Sequence, residues 1–186
     1  MSNDLTQLLQ ASSRGDRLAS EELLPLVYEE LRRVAVVRMA HEKPGQTLEA
    51  TALVHEAWLE LVGGKDRAWE NQAHFFGAAA HAMRRILMLK ARRKSRLKHG
   101  GGQIRVDFAD VEIAASDPDE KILLINEAVE RLEQEDAEQA RIVVLKFFGG
   151  LTNEQVAANL GISPRSVERQ WACAKAWLAQ WTRKQM

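Results

Sequence analysis

The segment LTNEQVAANLGISPRSVERQWACAKAWL, residues 151–178, gathers side chains suited to reading nucleic acid. Arg165, Arg169, Gln170 and Lys175 carry donors of the kind that match guanine and adenine edges, and Glu168 stands exposed among them. Ser166 and the helix N-terminus beside it suit phosphate oxygens. Two helix starts lie at the separation that a helix-turn-helix needs. Thr152 can cap the first, with Gln155 completing a capping box, and Leu151 and Val156 form a hydrophobic staple around it. Ser163 can cap the second, with Pro164 at its first position, and Ile162 and Val167 repeat the staple. Ala157 allows close helix contact, Gly161 permits the tight turn, and Val156, Leu160, Ile162 and Val167 point inward. The pattern predicts a helix-turn-helix whose second helix enters the DNA major groove. Cys173 reads as a buried packing residue, and Trp171, Trp177 and Trp181 as the seal of a C-terminal core.

A second cationic segment lies upstream. From Asn71 to Val106 there is no acidic residue, and eight of the fifteen positions from Arg84 to Lys98 are Lys or Arg. Such a block neutralises phosphates. From Asp107 to Glu138 the sign reverses, with only Lys121 and Arg131 among the acids, and the remaining tail is basic again. The chain as a whole balances 26 basic against 26 acidic residues, so its charge is organised in blocks rather than in excess.

The elements that must position these groups follow from apolar spacing. Leu5, Leu8 and Leu9 begin one helical stripe and Leu23, Leu24, Val27, Leu31 and Val34 another, separated by the polar turn from Ser13 to Asp16. His41 to Gln46 reads as a loop. Leu53, Val54, Ala57, Trp58, Leu61 and Val62 make one face of a helix that Gly63 and Gly64 end, with His55, Glu56 and Glu60 on the opposite face. A helix over about 71–98 buries Phe75, Phe76, Ala79, Ala80, Met83, Ile86 and Leu87 and stops at Gly100–Gly102. Residues 100–119 read as a flexible linker, a short strand at Ile104, Val106 and Phe108 being the alternative. Beyond it, Ile122 to Leu132 and Ala140 to Phe148 form two more helices, the latter closed by Gly149 and Gly150. The expected fold is all-α: two small helical domains (1–99 and 120–186) joined by the 100–119 linker.

In that order, these segments resemble bacterial RNA polymerase sigma factors of the extracytoplasmic-function type over almost the whole chain. ATALVHEAWLELV is similar to the family's core-polymerase-binding helix, and FFGAAAHAMRRILMLKARRKSRLK to its promoter-melting and −10-reading helix. FFGGLTNEQVAANLGISPRSVERQWACAKAWL is similar to its −35-reading helix-turn-helix. Lys98-His99-Gly100-Gly101 resembles a KxGG-like signature of one subgroup. The resemblance implies that Leu53, His55, Glu56 and Glu60 meet the clamp helices of the polymerase largest subunit, while the C-terminal domain meets its flap. It places Asn71, His74, Phe75 and Phe76 near the −10 element, where a base is captured, and sets Arg84, Arg85, Arg92, Arg93 and Arg96 along the DNA backbone. Arg165, Ser166, Glu168, Arg169, Gln170 and Lys175 would read the −35 element, and the acidic linker would thread the RNA channel. Partners implied are core RNA polymerase, promoter DNA and an anti-sigma factor, which the family commonly has. The family often carries Gln, Asn and Asp where this chain has His55, Arg85 and Leu89, so −10 base preferences do not transfer.

Other chemistries find little support. His41, His55, His74, His81 and His99 lack Cys or carboxylate companions at ligand spacing, so no metal site is expected. Gly100–Gly102 lacks the Lys-Ser/Thr of a phosphate-cradling loop. No nucleophile, base and orienting group stand together, so neither enzyme activity nor a cofactor is expected. No run approaches the ~18 apolar residues of a membrane span, the N-terminus lacks a signal sequence, and the chain's one cysteine fits a reducing cytoplasm. No further domain is expected before the first helix or after Met186. The alternative to a promoter-specificity subunit is a helix-turn-helix regulator that binds DNA without polymerase. A non-sequence-specific nucleic-acid adaptor is the third reading, and it would show salt-dependent affinity with little sequence ratio.

Overall fold

A computed structural model describes residues 2–39, 47–62, 69–97 and 118–184. Among these, all regular structure is helical, as the apolar spacing requires. Helices α1 (Ser2–Ser13) and α2 (Arg17–Met39) form a hairpin. Gly15 turns it at φ 88°, and the Asp16 carboxylate accepts the Ala19 N–H at 3.2 Å. Helix α3 (Thr47–Val62) and the long α4 (Gln72–Leu97) complete the N-terminal half. The loop at 41–46, the Gly63-Gly64 stop, the KxGG-like signature and residues 100–117 of the linker lie outside the described residues.

The C-terminal half comprises α5 (Pro118–Glu135), α6 (Ala137–Val143), α7 (Asn153–Leu160) and α8 (Pro164–Lys184). Asp136 separates α5 from α6 by capping the latter, its carboxylate accepting the Gln139 N–H at 3.0 Å. The regular helix expected over 140–148 departs from α geometry: Val144–Phe148 form a π-helical turn. The wider turn carries one extra residue past the helix register. It leaves Val144, Leu145, Phe147 and Phe148 all buried, with the two phenyl rings edge to face at 4.9 Å.

Helix α4 is the spine of the molecule. One side packs on α3, where Trp58 and Trp69 surround the fully buried Phe75 at ring separations of 6.5 and 5.1 Å. Another side receives α5, the π turn and α7, so a continuous cluster of buried apolar side chains runs from Leu9 to Leu178. Close approach is built in at two glycines. A Cβ on Gly149 would fall 2.6 Å from the Ala80 Cβ of α4, and one on Gly77 would overlap the Asn159 amide of α7.

Candidate nucleic-acid interface

The local logic of residues 151–178 is realised atom by atom. The Thr152 hydroxyl accepts the Gln155 N–H at 3.2 Å while the Gln155 side chain accepts the Thr152 N–H at 2.8 Å, closing the capping box. These contacts satisfy donors that the start of α7 would otherwise leave open. Gly161 ends α7 in the left-handed conformation at φ 68°, and its N–H reaches back to the Ala157 carbonyl. Ser163 then caps α8, accepting the Ser166 N–H at 3.1 Å. Val156 and Val167 are fully buried between α7 and α8 and Leu151 nearly so, whereas Leu160 and Ile162 are half-buried at the rim.

Exposure divides the residues of α8 into two groups. Arg165, Glu168 and Arg169 are exposed, and Ala172, Cys173 and Ala176 continue the same face at helical spacing. Gln170 turns to the flank, where its amide donates to Glu138 of α6 at 2.6 Å. Lys175 is half-buried with its ammonium 5.9 Å above the Trp171 ring, and the Ser166 hydroxyl shares a 2.9 Å bond with Ser163. Cys173, expected in the core, is exposed. The buried stripe runs Val167, Ala174, Leu178 and Thr182, and Cys173 falls on the other side of the helix. Ala172 and Ala176 are not among the residues singled out above, though the same periodicity identifies them. Trp171, Trp177 and Trp181 pack against the core while partly exposed; Trp177 and Trp181 stack at 6.4 Å, and the Trp177 indole donates to Glu135 at 3.0 Å.

On α4 the cations are shared among three neighbours. Arg85 pairs with Glu60 of α3, and Lys90 with Glu56 at 3.3 Å. Arg84 turns toward α5: its Nε donates to the buried Asn126 at 2.8 Å, Asn126 donates onward to Glu130 at 2.8 Å, and the guanidinium stands 5.9 Å over the Phe148 ring. Burial lowers the Arg84 pKa, against the opposing pull of Glu133 and Glu130. Lys94 pairs with Asp119 of α5 at 3.6 Å. Arg92 and Arg93 are exposed, and Arg96 lies within the described backbone of α4.

The remaining expected site residues separate by burial. Leu53 is 1% exposed and packs α3 from within in this conformation. His55 and Glu56 are exposed beside it and Glu60 is half-buried. Asn71 caps α4, its side-chain oxygen accepting the His74 N–H at 2.8 Å, and both residues are exposed. Phe75 and Phe76 are core residues at 0% and 5% exposure, so in this conformation neither ring presents a face on which a base could stack. The aromatic order is local: His74 meets Trp69 edge to face at 5.5 Å, and Phe75 meets Phe76 likewise at 5.5 Å.

Between α4 and the C-terminal half runs a polar cleft of about 790 Å³, with His74, His81, Arg85, Glu133, Arg141 and Asn159 on its walls. The His81 pKa lies below its ordinary value, through partial burial first and then the Arg84 and Arg141 charges, which outweigh Glu133. Among the described residues no group of acidic, His or Cys side chains is placed to hold a metal ion, and no helix is long and apolar enough to cross a membrane. A family model described as ECF sigma factor matches residues 2–184. No curated protein and no solved structure matches the chain.

Proposed function

The chain belongs to the ECF sigma factor family, and on that premise we propose that it binds core RNA polymerase through its N-terminal half and selects promoters with both halves. The observation that carries the reading is the family match across residues 2–184, which takes in the α3, α4 and α7–α8 segments together. A regulator acting alone has no need for a polymerase-docking helix.

In this reading the exposed His55 and Glu56 of α3 meet the clamp helices of the largest subunit, and the C-terminal half meets the flap. Asn71 and His74, exposed at the start of α4, lie where a −10 base is captured; unstacking it costs a few kcal/mol, which pocket contacts offset. Arg92, Arg93 and Arg96 follow the phosphate backbone, with Arg84 and Arg85 joining when DNA replaces their present partners. Arg165, Glu168 and Arg169 read the −35 major groove, with phosphate contacts from the N-terminus of α8 fixing register. The protein works in the cytoplasm under the control of an anti-sigma factor. Run-off transcription with purified core polymerase on a randomised promoter library tests this. Enrichment of two spaced elements that depends on the chain supports it; transcripts unchanged by the chain overturn it.

A further inference from the structure

Among the described residues the large apolar side chains left exposed are Leu18, Leu24, Leu26, Leu59 and Leu89. An exposed leucine is ordinary by itself; its company decides what it can do. Residues three and four positions away share its face of a helix. Leu18 has Glu21 and Glu22 there, Leu24 has Glu21, Leu26 has Glu22 and Glu30, and Leu59 has Glu56. Leu89 of α4 differs. At those spacings it has Arg85, Arg92 and Arg93, all exposed, and the buried Ile86, with no carboxylate.

Helical geometry arranges this strip for one kind of occupant. At 3.6 residues per turn, Arg92 falls about 60° to one side of Leu89 and Arg93 about 40° to the other. Arg85, which pairs with Glu60, stands one turn earlier. Two guanidiniums thus diverge on either side of an aliphatic side chain that is 60% exposed. A helix of ~10–12 Å diameter enters a major groove about 12 Å wide. Seated there with an arginine toward each bounding phosphate strand, α4 turns Leu89 to the base edges. Those edges offer an aliphatic group one apolar target, the 5-methyl of thymine.

We propose that Leu89 is a specificity-determining residue that reads a thymine of the −10 element through its 5-methyl group, with Arg92 and Arg93 holding the phosphates on either side. This rests on the promoter-reading role proposed above for α4. Position 89 is one at which the chain departs from the family pattern, so the family likeness supplies no role for it. The contact needs no rearrangement within α4, because Leu89, Arg92 and Arg93 already stand in solvent together.

Removing one methyl group tests it. Core polymerase and the full chain are assayed for promoter-complex formation on the library-selected promoter. Each thymine of its −10 element is replaced in turn by uracil, which keeps the ring and its hydrogen bonds but lacks the 5-methyl. One replacement should lower complex formation roughly fourfold, the effect of burying one methyl-sized group. Leu89→Ala should lose a similar factor on the thymine template and be indifferent to that same replacement, as a double-mutant cycle on a direct contact requires. Leu89→Asp should shift preference at that position from thymine toward cytosine, whose amino group can donate to a carboxylate. A selected −10 element without thymine, no effect of any uracil, or an equal uracil effect in Leu89→Ala overturns the contact. So does weaker recovery of core polymerase by Leu89→Ala, which would make Leu89 a protein-docking residue. Absence of promoter-specific transcripts from the unmodified chain would instead overturn the functional reading itself.

Discussion

Replacing Arg169 and Gln170 separately by alanine should give opposite outcomes, although the residues are adjacent and both suit base edges by type. Arg169 is exposed on the face of α8 that carries Arg165 and Glu168. A bidentate contact from such a residue discriminates by about 1–3 kcal/mol, or roughly 5- to 150-fold at ~1.4 kcal/mol per decade. Arg169→Ala should relax selection at one −35 position by a factor in that range and leave folding intact. Gln170 is occupied by Glu138 at 2.6 Å, and its own oxygen is buried without a partner. Losing the bond costs about 0.5–1.5 kcal/mol, partly offset by removal of that unsatisfied oxygen, so the lower end applies. For a chain of this size, the melting temperature should fall by roughly 1–3 °C with promoter preference unchanged. Selection and sequencing of a randomised −35 region with core polymerase, alongside thermal melts of each variant, measures both. Loss of preference in Gln170→Ala with retention in Arg169→Ala would refute the division of α8 into a reading face and a packing flank.

Trp58→Ala should destabilise the N-terminal half by about 3–5 kcal/mol, because Trp58 is 9% exposed and packs on Phe75; an unchanged urea midpoint would contradict that. Glu56→Arg breaks an exposed pair with Lys90 worth about 0–1 kcal/mol, so the protein should stay folded while pull-down of core polymerase weakens; undiminished recovery would remove Glu56 from the docking surface. His81 binds its proton less readily folded than unfolded, so stability should be independent of this group above its ordinary pKa of 6.5 and decline as pH falls from there to the lowered value. Urea midpoints between pH 5 and 8 should show a shallower acid-side slope in His81→Gln, and equal slopes would exclude His81. Gly161→Ala meets no atoms but forces alanine to φ 68°, costing about 1–2 kcal/mol, whereas Gly161→Asn should cost less; equal melting temperatures for all three proteins would contradict the left-handed turn.

What the sequence discloses here is governed by range. Thr152, Gln155, Gly161 and Ser163 act within one helical turn of themselves, so their types and spacing predict the caps and the tight bend. The apolar stripes of α3 and α4 are legible for the same reason. The stripe of α8 also carried the answer for Cys173: counting from Val167 through Trp171, Ala174 and Leu178 leaves position 173 on the outer face, but residue type suggested burial. Other features depend on what packs against a helix. Gln170 turns to the flank because α6 brings Glu138 to it, and no pattern within α8 shows that. The π turn at 144–148 needs one extra residue to be absorbed, and the string VLKFF carries no mark of it. The cationic block reads as phosphate-seeking by composition, yet its division among Glu60, Glu56, Asn126 and Asp119 is set by the packing of α3 and α5 on α4.

The account's central claim is that this chain reads promoters only as part of a polymerase. Fluorescence anisotropy of a labelled promoter duplex bearing the library-selected elements, titrated with the chain alone, core polymerase alone and the two together, measures that dependence directly. Selective, salt-resistant binding by the mixture, with weak and unselective binding by either component, is the expected result. Tight and sequence-selective occupancy by the chain alone, unchanged on adding polymerase, would contradict it and return the protein to the class of independent helix-turn-helix regulators.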